Sequence, residues 1–544
     1  MSASHYRRSL GTVALTAVGL GSIIGSGWLF GAQRAAVIAG PAAIFAWVIG
    51  AVVALTIALA YTELGSMFPE AGGMVRFGQY SHGSLTGYLA AWANWIAIIS
   101  AIPGEATASI QYMSSWKWGW AHSLFDTGSG QLTWRGVAAA TVLTVVYFGL
   151  NWFAVSMFAK ANTAITVFKL LIPSVTVIGL LLTAHHTSNL HSAGGFAPAG
   201  TSAVFTAVAT SGIVWAFNGF QSPINMAAEA RDPKRALPIA VLGSIGIALV
   251  VYLGLQMAFL LGVSPHALAH GGWSSLSFSS PFADLASALM LNWLAVLLYA
   301  DAFVSPSGTG MTYAATTSRM TYAVTRNGHL PQLFAKVDPK TGVPRPALLL
   351  NLVVAFIFLA VFRGWGSIAS VVSVATVISY VTGPVAVAVL RRIAPDLPRP
   401  VRLKGLTLLA PVAFVFGTLV LYWACWPLTG KVILIMAVGL PVYAYYEYRH
   451  GTDVLRNLKA GAWLPCYLVW MAFVSYIGGT SFGGRGWLPG GLDIVVVVLS
   501  GLVFYYWGLR SGWMNPALAE AREAAGQAAT EGADAPEAAA DLRA

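Results

Sequence analysis

Residues 19–31 read GLGSIIGSGWLFG, five glycines inside one apolar run. Glycine weakens a helix by about 1 kcal/mol relative to alanine, so a helix this rich in it is one that can break. Hydrocarbon offers no water to the amides that a break sets free, and unwound backbone survives there only where it packs in protein or lines a cavity. In a chain that spans a membrane, the stretch therefore marks a site.

The composition is that of an integral membrane protein. Of the 544 residues 57% are hydrophobic and 9% charged, with 20 Trp, against roughly 45–50% apolar and 25% charged in soluble domains. Counting about 20 apolar residues per crossing gives fourteen spans between residues 10 and 509, all α-helical. With residue 1 inside, six of the 30 Lys and Arg fall in outer loops (Arg34, Lys117, Arg135, Arg363, Lys431, Arg485) and Lys169 lies within a span. The rest lie on the inner side, which predicts a multi-pass protein of the cell (inner) membrane with both termini cytoplasmic. That distribution accounts for the formal charge of +11 without nucleic acid as a partner. Cys425 and Cys466 lack zinc or redox spacing and read as packing residues. After Trp513 the chain turns rich in Ala, Glu, Asp and Gly and reads as a disordered tail or a frayed helix.

Secondary transporters carry broken helices in pairs, one in each of two inverted repeats. A second break stands five spans on, in WAFNGF (215–220), where Asn218 and Gly219 interrupt span 6 at about the depth of the Gly25-Ser26-Gly27 break in span 1. Small residues also serve close helix packing in membranes, but two breaks five spans apart fit a five-plus-five repeat.

Four stretches together resemble the amino acid, polyamine and organocation superfamily of permeases: SIIGSGWLF (22–30), YTELGSMFPEAGG (61–73), WAFNGF with EARDPKRALP (229–238), and SRMTYAVTRNGHLP (318–331). The resemblance implies a LeuT-like fold, with spans 1–5 (10–184) and 6–10 (203–395) as the repeats. Residues 1–9 then form the N-terminus, 405–510 four additional spans and 514–544 the tail. It also implies alternating access around a midplane site. Backbone N–H groups of Gly25, Ser26 and Gly27 would take a substrate carboxylate, as a helix start attracts an anion. Carbonyls near Ile23, Trp215 and Ala216 would take its ammonium, with the Trp215 ring lining the pocket. Asn218 is the candidate selectivity residue, and Met311, Ser373, Thr376 and Ser379 belong to spans that face the same cavity in relatives.

Lys169 lies about nine residues into span 5, about 14 Å deep. An intramembrane lysine is a functional hypothesis by default. The resemblance gives it the role of the sodium ion in sodium-coupled relatives, with the carbonyl of Gly21 or Ser22 and the hydroxyl of Ser307, with Ser305, as its partners. Glu105 and Asp301 are further intramembrane acids, able to carry a proton or attract a cationic substrate. No GxxxxGK[ST] pattern occurs, and no HExxH, GxSxG or His pair lies inside a span, so no nucleotide, metal, cofactor or enzyme chemistry is expected. The reading is proton-coupled symport of neutral or acidic amino acids, with the amino acid or amine, the proton and the lipid bilayer as partners. The alternatives are exchange of cationic amino acids or amines, and a transporter-like nutrient sensor.

Overall fold

The computed structural model describes residues 10–68, 73–153, 155–326, 328–339, 341–450, 453–489 and 491–527. Residues 1–9, the PEAG of the YTELGSMFPEAGG stretch (69–72) and 528–544 lie outside them. In chain order the helices are α1 (Thr12–Ile23), α2 (Gly27–Ala39), α3 (Ala43–Met67), α4 (Gly73–His82), α5 (Ser84–Met113), α6 (Trp134–Phe153) and α7 (Val155–Thr183). Then come α8 (Gly200–Thr210), α9 (Ile213–Ala216), α10 (Gln221–Asn225), α11 (Pro233–Gly262), α12 (Pro265–Ala269), α13 (Pro281–Ala288), α14 (Asn292–Arg326) and α15 (Arg345–Val361). The last are α16 (Trp365–Tyr380), α17 (Thr382–Ile393), α18 (Leu406–Trp423), α19 (Leu428–Ala437), α20 (Gly439–His450), α21 (Val454–Gly461), α22 (Trp463–Ile477) and α23 (Leu492–Ser511). Among the described residues the one paired sheet is a hairpin of Phe125–Asp126 with Gln131–Leu132.

Ten helical segments are long and apolar enough to cross a membrane, and α1, α8 and α15 are shorter apolar helices. The fourteen crossings read from the sequence draw also on those short helices and on α14, which do not meet that criterion. Val13, Phe153, Leu182, Val250 and Leu408 stand exposed, as suits a surface that meets lipid rather than water. By contrast α5 and the α16–α17 span are buried along most of their length.

Two boundaries differ from the sequence reading. The first span runs on past Gly31 to Ala39 because QRAAVIA is rich in helix formers, so Arg34 sits on α2 and not in a loop. By hydropathy residues 282–316 read as one continuous span, the eighth, but the chain turns at Met290 (φ 61°) and α14 starts at Asn292.

The breaks face each other. α1 ends where Ile24 turns extended (φ −84°, ψ 99°), and the second break begins at Gly212 (φ +93°) and reopens at Gly219 (φ +129°). A Cβ at Gly219 would lie 2.6 Å from the carbonyl carbon of Ser22 and 2.7 Å from the amide of Ile23. Backbone therefore meets backbone where the two interrupted spans cross.

At the end of the molecule near residue 10, Glu63 of the YTELG stretch is fully buried. It accepts from Arg391 Nε (2.7 Å) and from the Leu403 amide (3.1 Å), tying α3 to α17 and the chain beyond it. Glu447 of α20 accepts from Ser84 Oγ (2.6 Å) and Asn457 Nδ2 (3.1 Å) and lies 3.5 Å from His329 Nε2, which joins the additional helices to the start of α5. The tail differs from expectation at its start: residues 516–527 are helical. Asn515 Nδ2 donates to the Tyr80 carbonyl (2.9 Å), Leu518 is fully buried, and Arg522 pairs with Asp396 (2.6 Å).

Gly219→Ala is expected to cost about 3 kcal/mol or more, since it adds a disfavoured φ to a backbone overlap. The expected result is loss of monodisperse protein in detergent. Gly149→Ala, on α6 with nothing within 4 Å of its Cβ, should be neutral or slightly stabilising in the same assay.

Candidate functional site

The unwound turn at Ile24–Ser26 is held by side chains from two helices that do not break. Glu105 of α5 is fully buried, and its Oε2 accepts the backbone N–H of Ser26 at 2.9 Å. Its Oε1 has no hydrogen-bond partner, and a buried acceptor left open calls for an explanation. Trp365, the first residue of α16, donates its Nε1 to Ser26 Oγ (2.9 Å). Its indole stacks on Trp215 (5.2 Å, 17°) and on Phe30 (4.8 Å, 27°), making an aromatic wall beside the turn. Gly104 makes room for this wall, because a Cβ there would lie 2.8 Å from the Trp215 ring.

Lys169 of α7 is buried. Its Nζ donates to the Gly21 carbonyl (3.2 Å) and to Thr309 Oγ1 of α14 (2.6 Å). The span-8 hydroxyl on Lys169 is thus that of Thr309, a residue the sequence reading did not select. Ser307, expected there, shares a hydrogen bond with Tyr147 Oη (3.1 Å), and Ser305 donates to Asp301 Oδ1 (2.6 Å). Gly25 lies between Glu105 and Thr309, the hydroxyl that Lys169 meets: a Cβ on it would come 2.8 Å from Glu105 Oε1 and 3.1 Å from Thr309 Oγ1. Gly21, Gly25, Ser26, Glu105 and Lys169 are therefore neighbours, with Trp215 reaching the group through Trp365.

The carbonyls expected for an ammonium meet a protein hydroxyl. Tyr252 of α11 donates to the Ala216 carbonyl (2.9 Å) and, at 3.4 Å, to that of Ile23. Asn218 belongs to a buried amide cluster, where its Oδ1 accepts from Gln221 Nε2 (3.0 Å) and Tyr380 Oη (2.5 Å) and its Nδ2 faces Thr376 (3.5 Å). The hydroxyl of Ser373 is buried without a partner, while Ser379 donates to the Ala90 carbonyl (3.3 Å). Met311 is partly buried and its carbonyl accepts from Asn151 of α6 (2.9 Å), a contact that does not bring it to Ser26. Asp301 stands two turns before Thr309 on α14, its Oδ2 buried and open.

Sequence reasoning missed Trp365, Tyr252 and Thr309. A tryptophan at the start of a span reads as an interfacial anchor, and a tyrosine inside an apolar helix reads as packing.

A double-mutant cycle tests the Trp365–Ser26 contact. Trp365→Phe and Ser26→Ala should each destabilise by about 1 kcal/mol, and the pair together by less than the sum, with a coupling of about 0.5–1.5 kcal/mol. Thermal midpoints in detergent provide the readout, and strict additivity would remove the bond.

A family model described as amino acid permease matches residues 10–442. The glutamate/serine transporter AimA of Bacillus subtilis (strain 168) is 56% identical over 524 residues, covering 96% of this chain and 97% of its own. The aspartate-proton symporter of the same organism is 36% identical, over 94% and 98% of the two chains. Its branched-chain amino acid permease BcaP is 24% identical, over 82% and 94%. These relatives are transporters, not enzymes, and with them the apolar helices make this an all-α, multi-pass protein of the cell membrane. The chain belongs to the amino acid permease family, within the amino acid, polyamine and organocation superfamily.

Proposed function

We propose that this protein is a secondary active transporter that carries neutral or acidic amino acids into the cell together with protons, by alternating access. The names of two similar proteins, a glutamate/serine transporter and an aspartate-proton symporter, support that substrate range and that coupling ion. The bias of Lys and Arg supports cytoplasmic termini, so that α1 is the inner and α2 the outer half of the first span.

One observation carries the mechanism: the Ser26 N–H that a substrate carboxylate would use is already bonded to Glu105. A substrate taking that N–H leaves Glu105 without its donor in a site closed to water. A carboxylate in that position takes up a proton rather than remain charged in a low dielectric. Substrate binding and proton binding then favour each other, which is the thermodynamic content of symport. Lys169 completes the link. With Glu105 neutral the charge balance around the Lys169 ammonium changes, and with it the position in which it holds the Gly21 carbonyl at the end of α1. Release of α1 opens the inner side, where substrate and proton leave and Glu105 returns to Ser26.

Purified protein in liposomes with an inward proton gradient should concentrate labelled glutamate or serine, and an ionophore should abolish it. Glu105→Gln should still exchange substrate across the membrane but lose gradient-driven accumulation by at least tenfold, and Lys169→Ala should lose both. Wild-type uptake that ignores the gradient and requires a preloaded amino acid would make the protein an exchanger and overturn symport.

A further inference from the structure

On the outer side of the turn a cavity of about 170 Å³ lies between α2, the outer end of α5, the 276–278 connection and the start of α16. It is far roomier than the about 10–15 Å³ that one water needs. Its one charged lining residue is Arg34, about 10 Å beyond Gly27 along α2. The guanidinium lies directly over Gly366, so a side chain at that position would have to push it aside. Its Nε is buried without a hydrogen-bond partner. No carboxylate among the described residues lies within ion-pair distance of it, although four other arginines have such partners.

The walls are built to stay. Gln111 Nε2 donates to the Ser279 carbonyl (3.3 Å), and the Gln33 amide pairs with the main chain of Phe278, donating to its carbonyl (3.2 Å) and accepting from its N–H (3.0 Å). Trp365 is common to the cavity and to the turn, since the same indole that lines one donates to Ser26 in the other. A half-buried guanidinium whose Nε is sealed off without a partner and which has no carboxylate beside it is costly in a membrane protein, and is explained most simply by an anion that arrives from outside the chain. The planar fork of arginine matches a carboxylate with two parallel hydrogen bonds.

We propose that this cavity is an outer capture site, in which Arg34 binds the carboxylate of an acidic amino acid before the substrate passes Trp365 to Ser26. The proposal rests on the transport reading above and gives it a basis for choosing acidic over neutral substrates. An amino acid of net charge −1 gains from a lone guanidinium, whereas a zwitterion brings an ammonium that offsets the gain.

The test measures KM for glutamate and for serine in proteoliposomes of wild type, Arg34→Gln and Arg34→Lys. Arg34→Gln should raise the glutamate KM at least tenfold and leave the serine KM within about twofold. Arg34→Lys keeps the charge without the fork, raises the glutamate KM about threefold, and serves alone where Arg34→Gln does not reach the membrane. Equal shifts for both substrates, or none for either, overturn the site. So does a substitution whose only effect is to remove a dependence on external chloride, which would make Arg34 a holder of an inorganic ion. Wild type that takes up neither amino acid defeats the transport reading itself, a result distinct from wild type that takes up both indifferently to Arg34.

Discussion

A break in a membrane-buried helix can exist only if every backbone group it frees finds a partner inside the protein. Here three such partners are side chains of helices that remain intact: Glu105 for the Ser26 N–H, Lys169 for the Gly21 carbonyl and Tyr252 for the carbonyls of Ile23 and Ala216. The stability of the unwound turn and the chemistry beside it are therefore one problem. Two of the three partners titrate, so moving a proton changes how firmly the broken span is held. On the transport reading proposed above, a ligand with a carboxylate and an ammonium would compete for the same backbone groups that Glu105 and Tyr252 now satisfy.

Much of this was legible in the residues themselves. Glycine spacing in GLGSIIGSGWLFG located the first break and WAFNGF the Gly219 end of the second, whose start at Gly212 lies upstream of it, and the depth of Lys169 in its span singled it out. The error over its partner has a geometric cause. At 100° per residue, Asp301, Ser305 and Thr309 follow one another on one face of α14 at four-residue steps, while Ser307 lies about 200° from Ser305 on the opposite side. There it meets Tyr147 of α6. Choosing among three nearby hydroxyls needs the rotation of the helix, which no pattern in a mostly buried span records. Trp365 and Arg34 escaped for a related reason: each stands near a span end, where an aromatic ring or a basic side chain is normally an anchor or a loop residue. Their distinction lies in what they face across the chain.

The additional helices and the chain after them are attached at the same end of the molecule as Glu63. Gly508 of α23 lends its carbonyl to His82 Nε2 (2.8 Å), and Trp513 Nε1 donates to the His82 carbonyl (3.2 Å). With Asn515 on the Tyr80 carbonyl, the segment that leaves α23 is thus fastened to α4, the helix joining the second and third spans. Read by composition, the tail is polar and small-residue rich. Its order comes from a few specific anchors, Leu518 and Arg522 among them, set in an otherwise solvating sequence.

The hydroxyl of Tyr252 carries a single hydrogen, yet two carbonyls lie within its reach, Ala216 at 2.9 Å and Ile23 at 3.4 Å. The division is unequal. The second interrupted span holds the short, strong share, and the end of α1 the long, weak one. If α1 swings away, the hydrogen settles wholly on Ala216 and little is lost, whereas departure of α9 would forfeit the better bond. One shared proton thus divides unequally between the two breaks, the second taking the stronger share of this hydroxyl and the first the weaker.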